Sequence, residues 1–318
     1  MTDYDVVVIG AGPTGENVAD RAVRGGLSAV IVESELVGGE CSYWACMPSK
    51  ALLRPVAVVS EATHLEGVHG AQLDPPGVLD RRDSFASHWN DDGQVKWLSG
   101  AHIGLVRGRG RLTGPKTVSV SSAEGPPLEL RARLKPGAWL DVDGVCQVSS
   151  VDGGWLYAAG DVNHISLLTH MGKYQARICG DAIAARARGH TPASTAWADQ
   201  SAVPQVIFAA PEVATVGLTS AEAAGAGRSI RVVDYELGAV AGAKLFEDGY
   251  SGKARMVVDE DRKTMIGATL AGPGVGEMIH AATVAVAAQV PLHLLWHAVP
   301  SFPTMSEVWL RLLETYGL

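Results

Sequence analysis

The chain has 318 residues, of which 47% are hydrophobic and 19% charged, so it can form two domains with large cores and is too apolar for extended disorder. Its 26 basic and 34 acidic residues give a net charge of −8, which argues against proteins that coat nucleic acids or bind anionic membranes. The most apolar stretch, residues 279–295, is interrupted by polar residues, so no membrane-spanning helix is predicted. Four cysteines are too few for a disulfide scaffold and no secretory signal is present, so we expect a soluble, cytoplasmic protein.

The N-terminal third predicts alternating strands and helices. Residues 4–9 and 29–33 are short runs rich in β-branched residues, typical of buried strands. Residues 14–25 lie between them and predict a helix, so the three segments form a βαβ unit. Residues 34–60 predict a turn followed by a helix, and the polar residues 61–95 are predicted to be helical in part.

The middle of the chain predicts short strands and a second long helix. Residues 103–130 alternate between polar and apolar types and contain two Gly-Pro turns, which indicates short antiparallel strands. Residues 155–159 predict another strand that ends at a Gly-Asp pair, and residues 174–188 predict a helix. Composition changes over residues 191–202, which are small and include proline, so we expect a domain boundary there.

The C-terminal third predicts an α+β domain. Thr219 and Glu222 form a capping box, which predicts that a helix begins after Thr219. Segments with strand patterns are residues 203–216, 230–237, 254–259 and 265–271, and segments with helical patterns are residues 277–289 and 304–314.

A glycine-rich turn follows the first predicted strand, with the sequence Gly10-Ala11-Gly12-Pro13-Thr14-Gly15. Glycines in such a turn permit a tight reversal and let the backbone approach a pyrophosphate at the positive end of the helix. Glu33 lies 18 residues after Gly15, at the end of the second strand, where a carboxylate can accept hydrogen bonds from an adenosine ribose. Strand, turn, helix and acid in this order predict a dinucleotide site.

A pair of cysteines, Cys41 and Cys46, lies at the start of the next predicted helix, and Lys50 follows Cys46 by one turn. A helix N-terminus and a nearby ammonium group both favour the thiolate, so these thiols are predicted to be reactive. No further Cys or His pair has zinc-ligand spacing, so no metal site is predicted. Cys146 and Cys179 stand apart in the sequence and are interpreted as small buried residues.

With these motifs the chain resembles the class I flavoprotein disulfide reductases, which include dihydrolipoamide dehydrogenase, glutathione reductase and mercuric reductase. Residues 4–55 resemble the FAD fingerprint and redox-disulfide helix of that family, and residues 155–188 resemble its second FAD motif. Residues 203–318 resemble its dimerisation domain. The matching residues in that domain are Pro204, Phe208, Pro211, Glu212 and Gly217.

The resemblance implies a role for each matched residue. Cys46 would form a charge-transfer thiolate next to the flavin, Cys41 would be the interchange thiol that meets the substrate, and Lys50 would lie near the flavin N5. Asp161 would bind the ribityl chain, and residues 168–170 would lie under the isoalloxazine. The resemblance assigns to FAD the residues Gly10, Gly12, Pro13, Thr14, Gly15, Glu33, Gly39, Glu40, Lys50, Gly160, Asp161, Leu168, Thr169 and His170.

One departure from the family is a missing domain. Members of the family insert a nicotinamide-binding domain of about 100–150 residues between the two halves of the FAD domain. Here no second glycine fingerprint is found, and residues 128–133 lead directly into residues 134–137, which resemble the segment that returns from the insertion. The domain is therefore expected to be missing near Arg133–Leu134. Since hydride transfer needs the nicotinamide held against the flavin, we expect poor turnover with NAD(P)H.

A second departure concerns the acid/base pair of the family, a histidine and a glutamate contributed across the dimer. Glu307 matches the glutamate, but Phe302 stands at the histidine position and cannot transfer a proton. His297 is a candidate substitute, although a structural or surface role is the simpler interpretation. Mercuric reductases also lack this histidine, so chemistry on thiol-bound metals or quinones is favoured slightly over disulfide reduction.

Taken together, we expect an α/β fold with a doubly wound, Rossmann-like FAD-binding domain and β-meander over residues 1–198, and an α+β dimerisation domain over residues 199–318. The expected function is an FAD-dependent dithiol/disulfide oxidoreductase core, acting as a homodimer through Cys41, Cys46, Lys50 and Glu307. Its acceptor would be a small-molecule thiol, disulfide, quinone or thiol-bound metal. The alternatives are a flavin-holding scaffold without turnover, as a natural remnant or an engineered deletion, or a chain that has lost FAD.

Overall fold

The computed structural model describes residues 4–121 and 139–318. Contacts divide the chain into two compact units, the first comprising Met1–Leu52 and Asp74–Trp197 and the second Leu53–Leu73 and Ala198–Leu318. The predicted excision at Arg133–Leu134 and the last part of the predicted strand region, residues 122–130, lie outside the described residues. Within the described part, no helix is long and apolar enough to cross a membrane.

The first unit contains a three-stranded parallel sheet in the order β1-β2-β3. Its strands are β1 (Val6–Ile9), β2 (Ala29–Glu33) and β3 (Gly104–Arg107), and helix α1 (Pro13–Arg24) connects the first two. Val8 pairs with Ile31, and Leu105 pairs with Ile31 from the other side. β2 is buried along four of its five residues because it has a neighbouring strand on each side. The predicted βαβ unit is confirmed with its boundaries shifted by at most two residues.

Five further α-helices lie between residues 39 and 187, and the second of them continues past Leu52 into the second unit. They are α2 (Gly39–Tyr43), α3 (Cys46–Thr63), α4 (Pro75–Phe85), α5 (Asp92–Gly100) and α6 (Thr169–Ala187). Strands β4 (Arg109–Gly114) and β5 (Thr117–Ser121) form an antiparallel hairpin. Helix α6 begins five residues before the predicted start, so it includes Thr169 and His170 of the segment expected to lie under a flavin.

Helices α1 and α6 lie against each other through small residues. A Cβ atom at Gly180 of α6 would overlap the Cβ of Arg21 on α1. Ala19, Ala22 and Ala176 are fully buried at or near this contact. Small side chains therefore allow a close approach of the two helices, which fixes the start of α6 relative to the glycine-rich turn.

Three predictions for this unit are wrong. β1 is not fully buried, since Val7 and Ile9 are 41% and 45% exposed, because β1 is an edge strand of the described sheet. Gly104–Arg107 was expected to pair antiparallel but is parallel to β2. Residues 155–159 form only an isolated bridge between Tyr157 and Gln147 instead of a strand. In each case the pairing partner, which the local sequence does not encode, decides the outcome.

The second unit is built on a five-stranded antiparallel sheet in the order β6-β7-β10-β9-β8. The strands are β6 (Gln205–Ile207), β7 (Val213–Gly217), β8 (Ile230–Glu236), β9 (Lys253–Asp259) and β10 (Thr264–Ala271), and the helices are α7 (Ser220–Gly225), α8 (Ala241–Phe246), α9 (Ile279–Ala287), α10 (Leu292–Leu295) and α11 (Glu307–Tyr316). The predicted α+β pattern is confirmed. The capping box is present in both directions between Thr219 and Glu222.

The core of the second unit lies where the central strands meet helices α9 and α11. Leu270, Met256, Ala214 and Leu312 are completely buried there. β10 has a neighbour on each edge, so its inward side chains are shielded from solvent along the whole strand. This cluster therefore supplies most of the apolar burial of the unit.

Leu270→Ala is expected to destabilise the second unit by about 2–5 kcal/mol, because it removes buried methyl groups and leaves a cavity. Chemical unfolding monitored by circular dichroism measures the change. Leu245→Ala is the matched control, since Leu245 is 70% exposed and its loss should cost less than about 0.5 kcal/mol. Equal effects of the two substitutions would contradict this account of the core.

Candidate redox-active site

The glycine-rich turn is held in place by backbone contacts. Gly10 has a φ of +99°, a conformation that side chains with a Cβ rarely adopt. A Cβ at Gly15 would overlap the carbonyl oxygen of Gly10, so the first turn of α1 lies directly against the end of β1. These two positions therefore require glycine for the reversal from strand to helix.

The outer face of the turn is open. A Cβ at Gly10 or at Gly12 would meet no atom within 4 Å. Gly12 is the N-cap of α1, and no side chain caps the amide groups of the first helical turn. Open space above uncapped amides at a helix N-terminus fits a diphosphate, which needs close backbone approach and N–H donors.

Glu33 connects the end of β2 to this turn. Its Oε2 accepts a hydrogen bond from the amide of Ala11 at 2.6 Å, and its Oε1 accepts one from the amide of Glu35 at 2.8 Å. The carboxylate thus fixes the glycine-rich turn. Each oxygen keeps a second lone pair that can accept a hydrogen bond from a ribose hydroxyl.

Thr14 brings the second predicted motif to the turn. A Cβ at Gly172, in the first turn of α6, would overlap the hydroxyl of Thr14, and a Cβ at Gly160 would lie 3.1 Å from that hydroxyl. The buried Gln175 accepts hydrogen bonds at Oε1 from the Gly160 amide at 2.7 Å and from the side chain of Asn163 at 2.9 Å. The structure therefore places Asp161, which is exposed, beside the start of α1.

The two thiols of the redox motif lie together at the start of α6. The Sγ of Cys46 is 3.3 Å from the Oγ1 of Thr169, and both cysteines are reduced and half-buried. Burial and a hydrogen bond to Cys46 raise the pKa of Cys41. Burial also disfavours the Cys46 thiolate, but hydrogen bonds from Cys41 and Thr169 and the charge of Lys50 lower the pKa of Cys46 overall. The pair is thus unequal, with Cys46 the more acidic thiol.

Several other residues that the sequence assigned to this site are exposed. Lys50 is exposed, and its Nζ donates to the Oγ of Ser49 at 3.4 Å. Glu40 and His170 are also exposed, and Leu168 is the N-cap of α6. The glycine-rich turn, Gly160, Asp161, Thr169 and both cysteines thus lie around the starts of α1 and α6.

Glu307, the predicted residue of the second unit, is buried at the start of α11. Its Oε1 pairs with Arg311, and its Oε2 has no hydrogen-bond partner among the described residues. Phe302 is 75% exposed, and His297 is exposed as well, in agreement with a surface role for that histidine. Among the described residues, no group of three or more His, Cys, Asp or Glu side chains can hold a metal ion.

Glu16 is a residue that the sequence analysis did not single out. Burial raises its pKa to about 7 against the opposing charge of Lys173, and its Oε1 is buried without a hydrogen-bond partner in the described part of the chain. A helical projection could have found it, because Glu16 lies three residues before the buried Ala19.

Comparison with known proteins identifies the family. The model of the pyridine nucleotide-disulphide oxidoreductases matches residues 4–133, and the model of their dimerisation domain matches residues 203–312. The chain belongs to the pyridine nucleotide-disulphide oxidoreductase family. The resemblance to flavoprotein disulfide reductases is therefore confirmed, and FAD is the cofactor of this family.

Relatives with dihydrolipoyl dehydrogenase names match parts or most of this chain. The protein from Synechocystis is 37% identical over 127 residues, which are 37% of this chain and 26% of the relative. The protein from Chlamydia muridarum is 22% identical over 452 positions, covering 96% of this chain and 95% of the relative. The alignment with the Synechocystis protein therefore spans only about a quarter of that relative's length. Among solved structures, LpdA from Mycobacterium tuberculosis superposes with a TM-score of 0.77 at 16% identity over 98% of this chain and 100% of that one, which supports the fold.

Thr169→Val is expected to raise the pKa of Cys46, because it removes a hydroxyl that donates a hydrogen bond to the thiolate. A pH titration of the ultraviolet thiolate absorbance of the reduced protein measures this pKa, and Cys46→Ser assigns the transition. Thr315→Val, an exposed helical threonine in the second unit, is the control and should leave the transition in place. An unchanged transition in Thr169→Val would contradict the proposed hydrogen bond.

Glu16→Gln is expected to stabilise the protein increasingly as pH rises. The pKa of Glu16 is about 7 in the folded protein and 4.5 in the unfolded chain, so between pH 4.5 and pH 7 the folded state binds more protons than the unfolded state. The wild-type protein therefore loses stability as the pH rises from 4.5 to 7. The gain should reach about 3 kcal/mol at most above pH 7 and vanish below pH 4.5. Unfolding measured across this range tests it, with the exposed Glu35→Gln as the control, and a pH-independent difference would contradict it.

Proposed function

We propose that this chain is an FAD-dependent dithiol/disulfide oxidoreductase core in which use of NAD(P)H is lost or severely impaired. The observation that carries the proposal is the pair of hydrogen-bonded thiols, Cys41 and Cys46, against Thr169 and beside the open glycine-rich turn. A structural role alone would not require two neighbouring thiols with opposite pKa shifts. The alternative is a flavin-holding scaffold without turnover, and reoxidation of the reduced flavin distinguishes it from an oxidoreductase.

The chemistry that the thiols support is exchange with a disulfide. Cys41 loses its proton, for which the hydrogen-bonded Cys46 thiolate is the nearest acceptor, and its sulfur attacks one sulfur of the substrate, releasing one product thiol. Cys46 passes this proton to the first product, and its thiolate attacks the Cys41 sulfur, which forms the Cys41–Cys46 disulfide and releases the second product as a thiolate. The two cysteines lose two electrons and one proton, and the products gain them as one thiol and one thiolate.

The residues proposed to hold FAD surround the starts of α1 and α6. The glycine-rich turn would hold the diphosphate, Glu33 the ribose, and Asp161 the ribityl chain. When bound, FAD supplies the two-electron redox chemistry that returns the Cys41–Cys46 disulfide to the dithiol. Lys50 carries the positive charge that favours the thiolate form of Cys46 in this arrangement.

The proposed loss of the nicotinamide domain rests on chain length. The alignment with the Chlamydia muridarum relative spans 452 positions, whereas this chain has 318 residues, so at least 134 positions, the difference of the two, have no counterpart here. That number is the size of a domain. The first family match also ends at residue 133, at the proposed junction near Arg133–Leu134.

The second unit supports a homodimer. The match to the family's dimerisation domain covers residues 203–312 of the proposed domain 199–318. Phe302 and Val299, which are 75% and 82% exposed, would be covered by a second copy. A small-molecule thiol, disulfide, quinone or thiol-bound metal is the proposed acceptor, and the absence of a histidine at residue 302 favours the last two slightly.

The purified protein is expected to show a bound flavin whose absorption bleaches with dithionite under anaerobic conditions but not with NADH or NADPH. The reason is the proposed loss of the nicotinamide domain, which would otherwise supply the binding energy that holds the nicotinamide against the flavin. Rapid bleaching by either nucleotide would overturn the proposed loss, and absence of flavin would overturn the proposed cofactor site.

Reoxidation separates the oxidoreductase from the scaffold. Flavin that has been reduced with dithionite should return to its oxidised spectrum when a disulfide or a quinone is added anaerobically. The variant Cys41→Ser should lose the reaction with a disulfide, whereas Cys179→Ser, a buried thiol outside the motif, should retain it. A wild-type protein that reacts with none of the acceptors would support the scaffold instead.

A further inference from the structure

A cavity of about 350 Å³ lies in the first unit, and its lining residues are distinct from those assigned to FAD and from the two thiols, although Glu16 and Lys173 directly follow Gly15 and Gly172 in the sequence. Residues of α1, α5 and α6 line it, and its volume lies at the small end of the range for ligand pockets. The lining side chains used below are Glu16, Asn17, Asp20, Gln94, Trp97 and Lys173.

One wall of the cavity is acidic. Glu16 and Asp20 lie one turn apart on α1, and both line the cavity. Asp20 is paired with Arg24 at 2.9 Å, whereas the buried Oε1 of Glu16 lacks a hydrogen-bond partner among the described residues. The side-chain amide nitrogen of Asn17 donates to the carbonyl of Pro13 at 2.7 Å, so its oxygen remains as an acceptor. This wall therefore presents the side-chain oxygen of Asn17 as an acceptor and the carboxyl group of Glu16, whose buried oxygen has no hydrogen-bond donor among the described residues.

The other walls offer a positive charge, donors and an aromatic ring. Lys173 of α6 contributes an ammonium group, and Gln94 contributes a side-chain amide near the start of α5. Trp97, one turn further along α5, is 44% exposed and presents an indole to the cavity. The cavity thus combines both signs of charge with an apolar surface.

We propose that this cavity binds a zwitterionic α-amino acid with an apolar side chain. Its ammonium group would donate to Glu16, its carboxylate would pair with Lys173, and its side chain would lie against Trp97. A cation alone would face Lys173 without a partner for that charge, and an anion alone would leave the Glu16 oxygen unsatisfied, so a molecule with both groups fits best.

The charges around Glu16 predict how binding depends on pH. Asp20 on the same helix, Lys173 on α6 and Tyr43 on α2 are the ionisable groups near Glu16, while α5 contributes only the neutral Gln94 and Trp97. Burial raises the pKa of Glu16 to about 7, so the carboxylate is only partly ionised at neutral pH. An ammonium group needs the ionised form, so affinity should increase as pH rises through 7.

Isothermal titration calorimetry of the full chain with L-phenylalanine tests the proposal. Phenethylamine and 3-phenylpropionate keep one charge each, and both should bind at least tenfold more weakly than phenylalanine. Glu16→Gln should weaken phenylalanine binding at least tenfold and remove its pH dependence. Asp181→Asn is the matched control, because Asp181 is a carboxylate of α6 that lies outside this cavity and pairs with Arg21.

Three results would overturn the proposal: no heat of binding with phenylalanine, equal binding of either single-charge analogue, or wild-type affinity in Glu16→Gln. Lys173→Gln provides a second variant, since Lys173 is exposed and its replacement does not disturb the core. Lys173→Gln should weaken the binding of phenylalanine and 3-phenylpropionate, but it should not weaken that of phenethylamine, which has no carboxylate to pair with Lys173. Unaltered binding of phenylalanine in Lys173→Gln would also contradict the proposal.

Discussion

The close approach of α1 to β1 and α6 is the constraint on which the first unit depends. Gly15 lets the first turn of α1 lie against the end of β1, and Gly172 lets the side chain of Thr14 lie against the first turn of α6. One helix start is thereby placed beside another. A Cβ at Gly15 would overlap the carbonyl oxygen of Gly10, and a Cβ at Gly172 would overlap the hydroxyl of Thr14, so the two helix starts could not lie this close.

That arrangement makes the two cysteines unequal. Both are half-buried, so desolvation disfavours both thiolates, and a hydrogen bond to Thr169 favours both. The hydrogen bond between the two thiols raises the pKa of Cys41 and lowers that of Cys46, and the charge of Lys50 lowers the pKa of Cys46 further. Cys46 is therefore the sulfur of the pair that more readily forms the thiolate. Thiol–disulfide exchange needs this division, because the second step requires a thiolate that is ready when the mixed disulfide forms.

Helices and strands could be predicted where their hydrophobic pattern and their capping residues lie within a few neighbouring residues. Strand β2, helix α1 and the capping box at Thr219 were predictable because their patterns and caps are local. The exposure of Ile9 and the parallel pairing of β3 were not, since both depend on which strand lies alongside. The thiol pair was predictable from Cys41 and Cys46, but the contact with Thr169 depends on a helix 123 residues away in sequence.

Glu16 shows how burial can outweigh a helix dipole. A carboxylate in the first turn of a helix is ordinarily favoured in its ionised form by about 0.3–1 kcal/mol, which would lower its pKa. Its pKa is instead raised to about 7, so desolvation exceeds that gain. Lys173, one turn beyond Thr169 on α6, opposes this rise and also opposes the rise in the pKa of Cys41. A carboxylate that neutralised Lys173 would therefore raise the pKa of Cys41, which links the charge in the cavity to the reactivity of the thiols.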